Sequence, residues 1–421
     1  MKVPIEDWLA EVLGQCDGDS GEVADYIPEL ARADPDRFGA ALGTVRGHVY
    51  PVGHTEVEFS IQSISKPFTY AVALADRGLE VVHEKIDVEP SGDAFNEISL
   101  EASTGRPRNP MINAGAIAAH ALVEGGSSQR RVERLLDFYS DLAGRRLHVD
   151  EDVFESEMGS AHRNLAIAHM LRTVGAIDDD PVDVVRGYTR QCSIDVTVSD
   201  LARMAATLAN AGADPVSGSR HLDPAVCRQV LSVMASCGMY DAAGDWFSSV
   251  GIPAKSGVSG GIIGVLPGQV GIAVFSPRLD EHGNSARGVQ LFERLSRDMG
   301  LHLMESSQGS RSAVRQERAG DGERPSVYEL QGDVRFAEAE SILHALAEEP
   351  EGPGTVVLDL TRVYEVNAAG RRMVLEAARR LHLDGHPVVL VDPDGVLPDR
   401  DAGDGLTLVA YDDVDAACAH G

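Results

Sequence analysis

Hydrophobic positions change their spacing twice along this 421-residue chain. Near the start, residues 8–13 predict a short helix, and 42–52 and 57–59 predict strands with glycine-containing turns between them. From Pro67 to about Val258 the apolar residues recur at i, i+3 and i+4. Residues 68–79, 114–123, 132–142 and 200–211 each predict a helix on that spacing. Short apolar runs then return. Residues 261–265 and 270–275 predict strands flanking Pro267-Gly268, a turn signal, and 285–299 predict a helix. Strands at both ends of a helical middle predict an α+β domain. Its two ends share one antiparallel sheet, with the helices packed on it.

The pattern breaks at 306–326, a polar stretch rich in Ser, Gly, Arg and Glu that reads as a linker. It separates a first domain (1–305) from a C-terminal one (327–421). The latter alternates between the two periods: strand 327–330, helix 337–346, strand 355–360, helix 369–381 ending near Gly385, strands 388–391 and 406–409, and a last helix over 414–419. That alternation predicts a small α/β domain of βα units.

The net charge of −29 repels phosphate backbones and anionic membranes, so no nucleic-acid partner is expected. Five widely spaced cysteines without a C-x-x-C pair fit a reducing compartment and give no zinc spacing. The N-terminal stretch carries acids within its apolar residues, unlike a signal peptide, and no run of 18 apolar residues occurs. A cytoplasmic location without membrane insertion is therefore expected. Basic residues are almost all arginine; the four lysines are Lys2, Lys66, Lys85 and Lys255. A lysine inside the fold is thus worth examining for chemistry that arginine cannot perform.

Ser63-Ile64-Ser65-Lys66 is an S-x-x-K pattern. On a helix, i and i+3 share a face, so Lys66 reaches Ser63. A serine hydroxyl needs a base, and a buried lysine becomes one by losing its proton. Pro67 is tolerated only in a first turn, which places the helix start near Ser63. Ser63 is then at the positive end of the helix dipole with its N–H free for an oxyanion. Lys255-Ser256-Gly257 follows on a predicted strand, in the order S-x-x-K then K-[ST]-G of serine β-lactamases and penicillin-binding proteins.

With these motifs the chain resembles the serine-dependent glutaminases, which share the β-lactamase/DD-peptidase fold. The resemblance runs from Gly21-Glu22-Val23-Ala24-Asp25-Tyr26-Ile27-Pro28-Glu29-Leu30 to about residue 300. It includes Phe59 with Ile61-Gln62-Ser63-Ile64-Ser65-Lys66, and Glu89-Pro90-Ser91-Gly92 with Phe95-Asn96. Further along come Asn109-Pro110-Met111-Ile112-Asn113, Ser156-Glu157, Arg163-Asn164, Tyr188 with Gln191-Cys192-Ser193, and Cys237-Gly238-Met239-Tyr240-Asp241. It implies Ser63 as nucleophile, Lys66 as general base and Tyr240 as proton relay. It also implies glutamine binding by Tyr26, Ser63, Asn113, Glu157, Asn164, Tyr188, Tyr240 and the backbone N–H of Val258. Glu157 is the carboxylate suited to the substrate ammonium. No metal and no organic cofactor is implied. Three departures stand out: Gly53-His54 where Gly-Asp is usual, Arg163-Asn164-Leu165 where Arg-Asn-Arg is usual, and Ser259 where a glycine is usual. A serine at 259 restricts φ beside the oxyanion amide.

The C-terminal domain resembles a STAS domain through Leu330-Gln331-Gly332, Val356-Val357-Leu358-Asp359-Leu360-Thr361, Val366-Asn367-Ala368-Ala369-Gly370 and Gly385-His386-Pro387-Val388-Val389-Leu390-Val391. Regulatory members carry Asp-Ser-Ser-Gly where Asn367-Ala368-Ala369-Gly370 stands, and neither alanine accepts a phosphate. The expected role is docking to a protein partner not yet identified, or homo-oligomerisation. Two rival readings stay open on sequence: another serine acyl hydrolase of the β-lactamase or DD-peptidase type, and a non-catalytic protein working through its STAS-like domain.

Overall fold

The computed structural model describes residues 3–16, 21–91, 99–101, 103–305, 312–318, 320, 324–349 and 352–420. The chain divides into two compact units. One spans Leu9–Glu293 with His302–Met304. The other joins the described part of Glu305–Gly421 to Arg294–Leu301 and the segment up to Trp8.

The first unit has a five-stranded sheet in the order Val49–Gly53, Gly39–Thr44, Val270–Phe275, Gly261–Leu266, Ala254–Gly257, with every pair antiparallel. The two ends of the domain do share one sheet. The helix Val198–Ala209 lies on it, opened by a capping box in which Thr197 and Asp200 exchange side-chain and backbone bonds. Gly271 permits the close approach: a Cβ there would stand 2.3 Å from the Ala206 nitrogen. A second, three-stranded sheet orders Phe59–Ser60, Ile194–Val196 and His148–Val149. The buried helices Ser65–Arg77, Asn113–Leu122 and Pro181–Cys192 form the centre of the helical region. The first ends at Gly78, whose φ of +78° suits glycine, and a separate helix Leu79–Lys85 follows where one continuous element to 79 was expected.

His120, wholly buried, is held down to about 4 by burial, against the bond it makes to Gln191. An unfolded histidine titrates near 6.5, so between those values the unfolded chain binds the extra proton. Stability should therefore fall by about 3 kcal/mol as pH drops across that window, and His120→Asn should flatten this part of a melting-temperature profile. An equally steep profile in the variant would assign the acid sensitivity elsewhere.

The second unit has its own five-stranded sheet, ordered Val314–Arg318, Ser326–Val334, Val356–Val366, Val388–Val391, Val409–Tyr411. The first pair is antiparallel and the rest parallel. The helices Phe336–Ala347 and Ala368–Leu383 pack together. Two expectations change here. The 306–326 stretch is not wholly linker, because Val314–Arg318 is an edge strand whose side chains are mostly exposed. The strand expected over 406–409 is split: Leu406–Thr407 pairs with Asp401–Gly403, and Val409–Tyr411 joins the main sheet. Among the described residues no helix is long and apolar enough to cross a membrane.

Candidate active site

Ser63 lies in a single 3₁₀ turn, Gln62–Ile64, that runs into the helix Ser65–Arg77, so the α-helix starts two residues after the serine. The strand Phe59–Ser60 leads into the turn, and the Ile61 amide donates to the Ile194 carbonyl at 2.8 Å. The strand Ala254–Gly257 packs against its other side. Gln62 has φ +48°, a left-handed conformation that costs energy for a residue with a β-carbon. Backbone strain persists only where the surroundings hold it.

Lys66 Nζ donates to Ser63 Oγ at 2.8 Å and to Asn113 Oδ1 at 2.8 Å. Ser63 retains 8% exposure and Lys66 none. Burial lowers Lys66 to about 8, with Cys192 opposing. A lysine at that value is partly neutral near physiological pH and accepts a proton, which arginine does not do. Asn113 Oδ1 also accepts from the Tyr188 hydroxyl at 3.3 Å, and Asn113 Nδ2 donates to Asn164 Oδ1 at 3.0 Å. Five of the sequence candidates thus form one network.

Glu157 collects the next group. Its Oε1 accepts from Tyr26 at 2.8 Å and from Gln62 Nε2 at 3.1 Å. Burial raises its pKa, and these two bonds oppose the rise. Tyr26 and Gln62 both use Oε1, and Oε2 is the oxygen suited to accept from a further cation. Sequence reasoning placed Gln62 in a motif but missed this role, because its partner lies 95 residues away and no local spacing reports it.

Tyr240, at φ +58°, donates to the Ser256 carbonyl at 3.0 Å; burial raises its phenol, and its interactions with the Ser63 and Ser256 side chains oppose that. Lys255 is wholly buried, donates to the Ser256 carbonyl at 2.7 Å, and stands 4.0 Å from the Tyr240 ring centre. Burial first, then the charge of Lys66, drives Lys255 well below its ordinary value. Two of the four lysines are therefore inside, beside the serine.

Val258 begins the turn after Ala254–Gly257. The left-handed position of that turn is Gly260, at φ +100°, and Ser259 is not among the positive-φ residues. The serine is thus accommodated without the strain that its position suggested. Tyr26, Asp241 and Val258 help line a cavity of about 670 Å³, enough for an amino acid. Gly92, Phe95 and Asn96 lie outside the described residues. Elsewhere in this unit Glu58, His148 and Asp195 bring three potential metal-ligand atoms within 4.8 Å of one another, but Arg145 already pairs with Glu58 at 3.0 Å.

A family model described as glutaminase matches residues 21–304, and one described as Mlab, STAS domain, matches 319–399. A glutaminase of Corynebacterium glutamicum is 52% identical, over 96% of this chain and 98% of its own length. A crystal structure titled Mglu covers 94% of this chain and all of its own at 52% identity, with a TM-score of 0.71. A probable glutaminase of Bacillus subtilis covers 72% of this chain and 99% of its own at 31% identity, with a TM-score of 0.65.

Proposed function

The chain belongs to the glutaminase family, and from that premise we propose which residues carry each step from L-glutamine to L-glutamate and ammonia. Neutral Lys66 takes the proton of Ser63 as its Oγ attacks the γ-amide carbon. The backbone N–H groups of Ser63 and Val258 hold the oxyanion. The tetrahedral intermediate collapses, and ammonia leaves with a proton returned from Lys66 through the Tyr240 hydroxyl. Water, deprotonated by the same lysine, then opens the γ-glutamyl ester and releases glutamate. Glu157 meets the substrate ammonium. Tyr26 and Gln62 hold that carboxylate, and Asn113, Asn164 and Tyr188 line the position of the α-carboxylate.

The observation that carries this reading is the contact of one buried lysine nitrogen with both Ser63 Oγ and Asn113 Oδ1 at 2.8 Å. The rival acyl-hydrolase reading finds less support, since neither the β-lactam ring nor a D-alanyl-D-alanine terminus carries an α-ammonium for Glu157 to meet. The test is a pH profile. Below about 8 Lys66 holds its proton and cannot act as base; above it Lys66 is neutral. kcat/KM for glutamine should therefore rise with pH and level off above about 8. A limb near 10, the range of an ordinary lysine, would remove Lys66 from the role.

For the STAS-like domain we propose docking rather than phosphate control. Asn367 caps the helix Ala368–Leu383 by accepting from the Gly370 amide at 2.7 Å, and the two following alanines offer no hydroxyl. A cytoplasmic location belongs to the same proposal, supported by five free cysteines, and a homo-oligomer is proposed beside it as an alternative use of the domain. Deleting residues 306–421 should abolish partner capture; unchanged turnover after deletion would confine the domain to docking.

A further inference from the structure

Behind Ser63 runs a buried line of side chains that the proposed reaction does not use. Gln62, directly before the nucleophile, is held at φ +48°. Its carbonyl accepts from Ser65 Oγ at 2.7 Å. Ser65 Oγ in turn accepts from Gln191 Nε2 at 3.3 Å, and Gln191 Oε1 pairs with His120 Nδ1 at 2.7 Å. All three of these side chains are fully buried.

The chemistry fixes the direction of this line. His120 is held down to about 4, so it is neutral near pH 7 and carries one ring proton. Its Nε2 has no hydrogen-bond partner among the described residues, and a Cβ at Gly187 would stand 2.2 Å from it. Facing an amide oxygen, Nδ1 is the nitrogen that bears the proton. Gln191 then presents its NH₂ to Ser65, and the single Ser65 proton is directed at the Gln62 carbonyl. Each donor points toward the turn. The Ser65 hydroxyl also faces Cys192 Sγ, but at 3.7 Å, a weaker contact than the one at 2.7 Å. The Ser65 carbonyl is fixed separately by the Tyr139 hydroxyl at 2.9 Å.

We propose that Ser65 and Gln191 are positioning residues. They hold the Gln62 carbonyl, and with it the left-handed turn that aims Ser63 at the substrate carbon. Neither needs to touch glutamine. Without the line, the turn is free to relax toward ordinary φ, which rotates the Ser63 side chain away from its place between Lys66 and Tyr240. The inference rests on Ser63 being the nucleophile. It adds a reason for the second serine of Ser63-Ile64-Ser65-Lys66 and for a glutamine immediately before Cys192.

The experiment is a kinetic cycle on the full chain with Ser65→Ala, Gln191→Leu, the double variant and Ser65→Thr, with Ser63→Ala as control. Ser65→Ala should lower kcat for glutamine by about tenfold to a hundredfold, the scale of a small misplacement of a reacting group. KM should change less than kcat, because Tyr26 still holds Glu157 when the Gln62 turn shifts and the proposed α-carboxylate partners stay in place. Gln191→Leu should lower kcat in the same sense, and the double variant should be no slower than Ser65→Ala, since both act through one carbonyl. Ser65→Thr, which keeps the hydroxyl, should recover most of the loss. If Ser65→Ala does not fold, Gln191→Leu carries the test by the same split between kcat and KM. Wild-type kcat in folded variants, or independent losses that multiply in the double variant and track melting temperature, would overturn the brace. Turnover that persists in Ser63→Ala would instead overturn the nucleophile assignment.

Discussion

Lys66→Met is expected to lower ammonia release from glutamine by at least about a thousandfold and, at the same time, to remove a pH dependence from stability. The first effect follows from loss of the proposed base. The Met side chain fills the Lys66 space but accepts no proton from Ser63, and Ser63→Ala should be silent for the complementary reason. The second follows from linkage. Folded Lys66 titrates near 8, against an ordinary value of 10.5, so between those values only the unfolded chain binds the proton. Wild-type stability should gain about 3 kcal/mol more than the methionine variant as pH rises through that window, because Lys255, also lowered by burial, adds its own gain to both proteins. Denaturant unfolding of both proteins between pH 8 and 10.5 measures the difference. A constant gap would mean that the buried lysine keeps its proton in the folded chain, and the base assignment would go with it.

Glu157→Gln is expected to raise KM for glutamine by about a hundredfold or more, with a smaller fall in kcat. In the proposed reaction the carboxylate supplies the negative charge for the substrate ammonium in a partly desolvated place, where loss of one partner of a charged pair costs about 2–5 kcal/mol. Glutamine retains the shape and can still accept from Tyr26 and Gln62, so the nearby geometry persists and the charge alone is tested. The discriminating substrate is the monoamide of glutaric acid, glutamine without its amino group. Wild type should handle it poorly, and Glu157→Gln should handle it as well as wild type does. If the variant loses both substrates equally, Glu157 supports the fold of the pocket rather than the ammonium.

Much of this arrangement was legible in the chain before the structure. Ser63 and Lys66 are three residues apart, and local spacing reports that pair directly. Lys255 stood out because arginine is the default cation, and both lysines are inside. The shared sheet followed from short apolar runs at each end of a helical middle. What escaped has a physical reason. The strand Val314–Arg318 exposes most of its side chains, so it has no alternation to detect and reads as linker. The 3₁₀ turn at Gln62–Ile64 depends on backbone strain that only the folded surroundings maintain. The bonds from Gln62 to Glu157 and from Gln191 to Ser65 cross 95 and 126 residues, and no periodicity encodes a contact at that range.

The shared sheet also governs when during synthesis the enzyme comes into being. The strand Gly39–Thr44 is zipped on one side by its neighbour Val49–Gly53, but its other edge waits for Val270–Phe275. A growing chain thus carries an unpaired β edge and an incompletely packed Ser63 turn until the last strands of that sheet leave the ribosome. Contacts at such separation close slowly, and open edges invite pairing with other chains. Ribosomes stalled before residue 254 should hold nascent protein that is protease-sensitive and inactive, and release past residue 275 should convert both properties together.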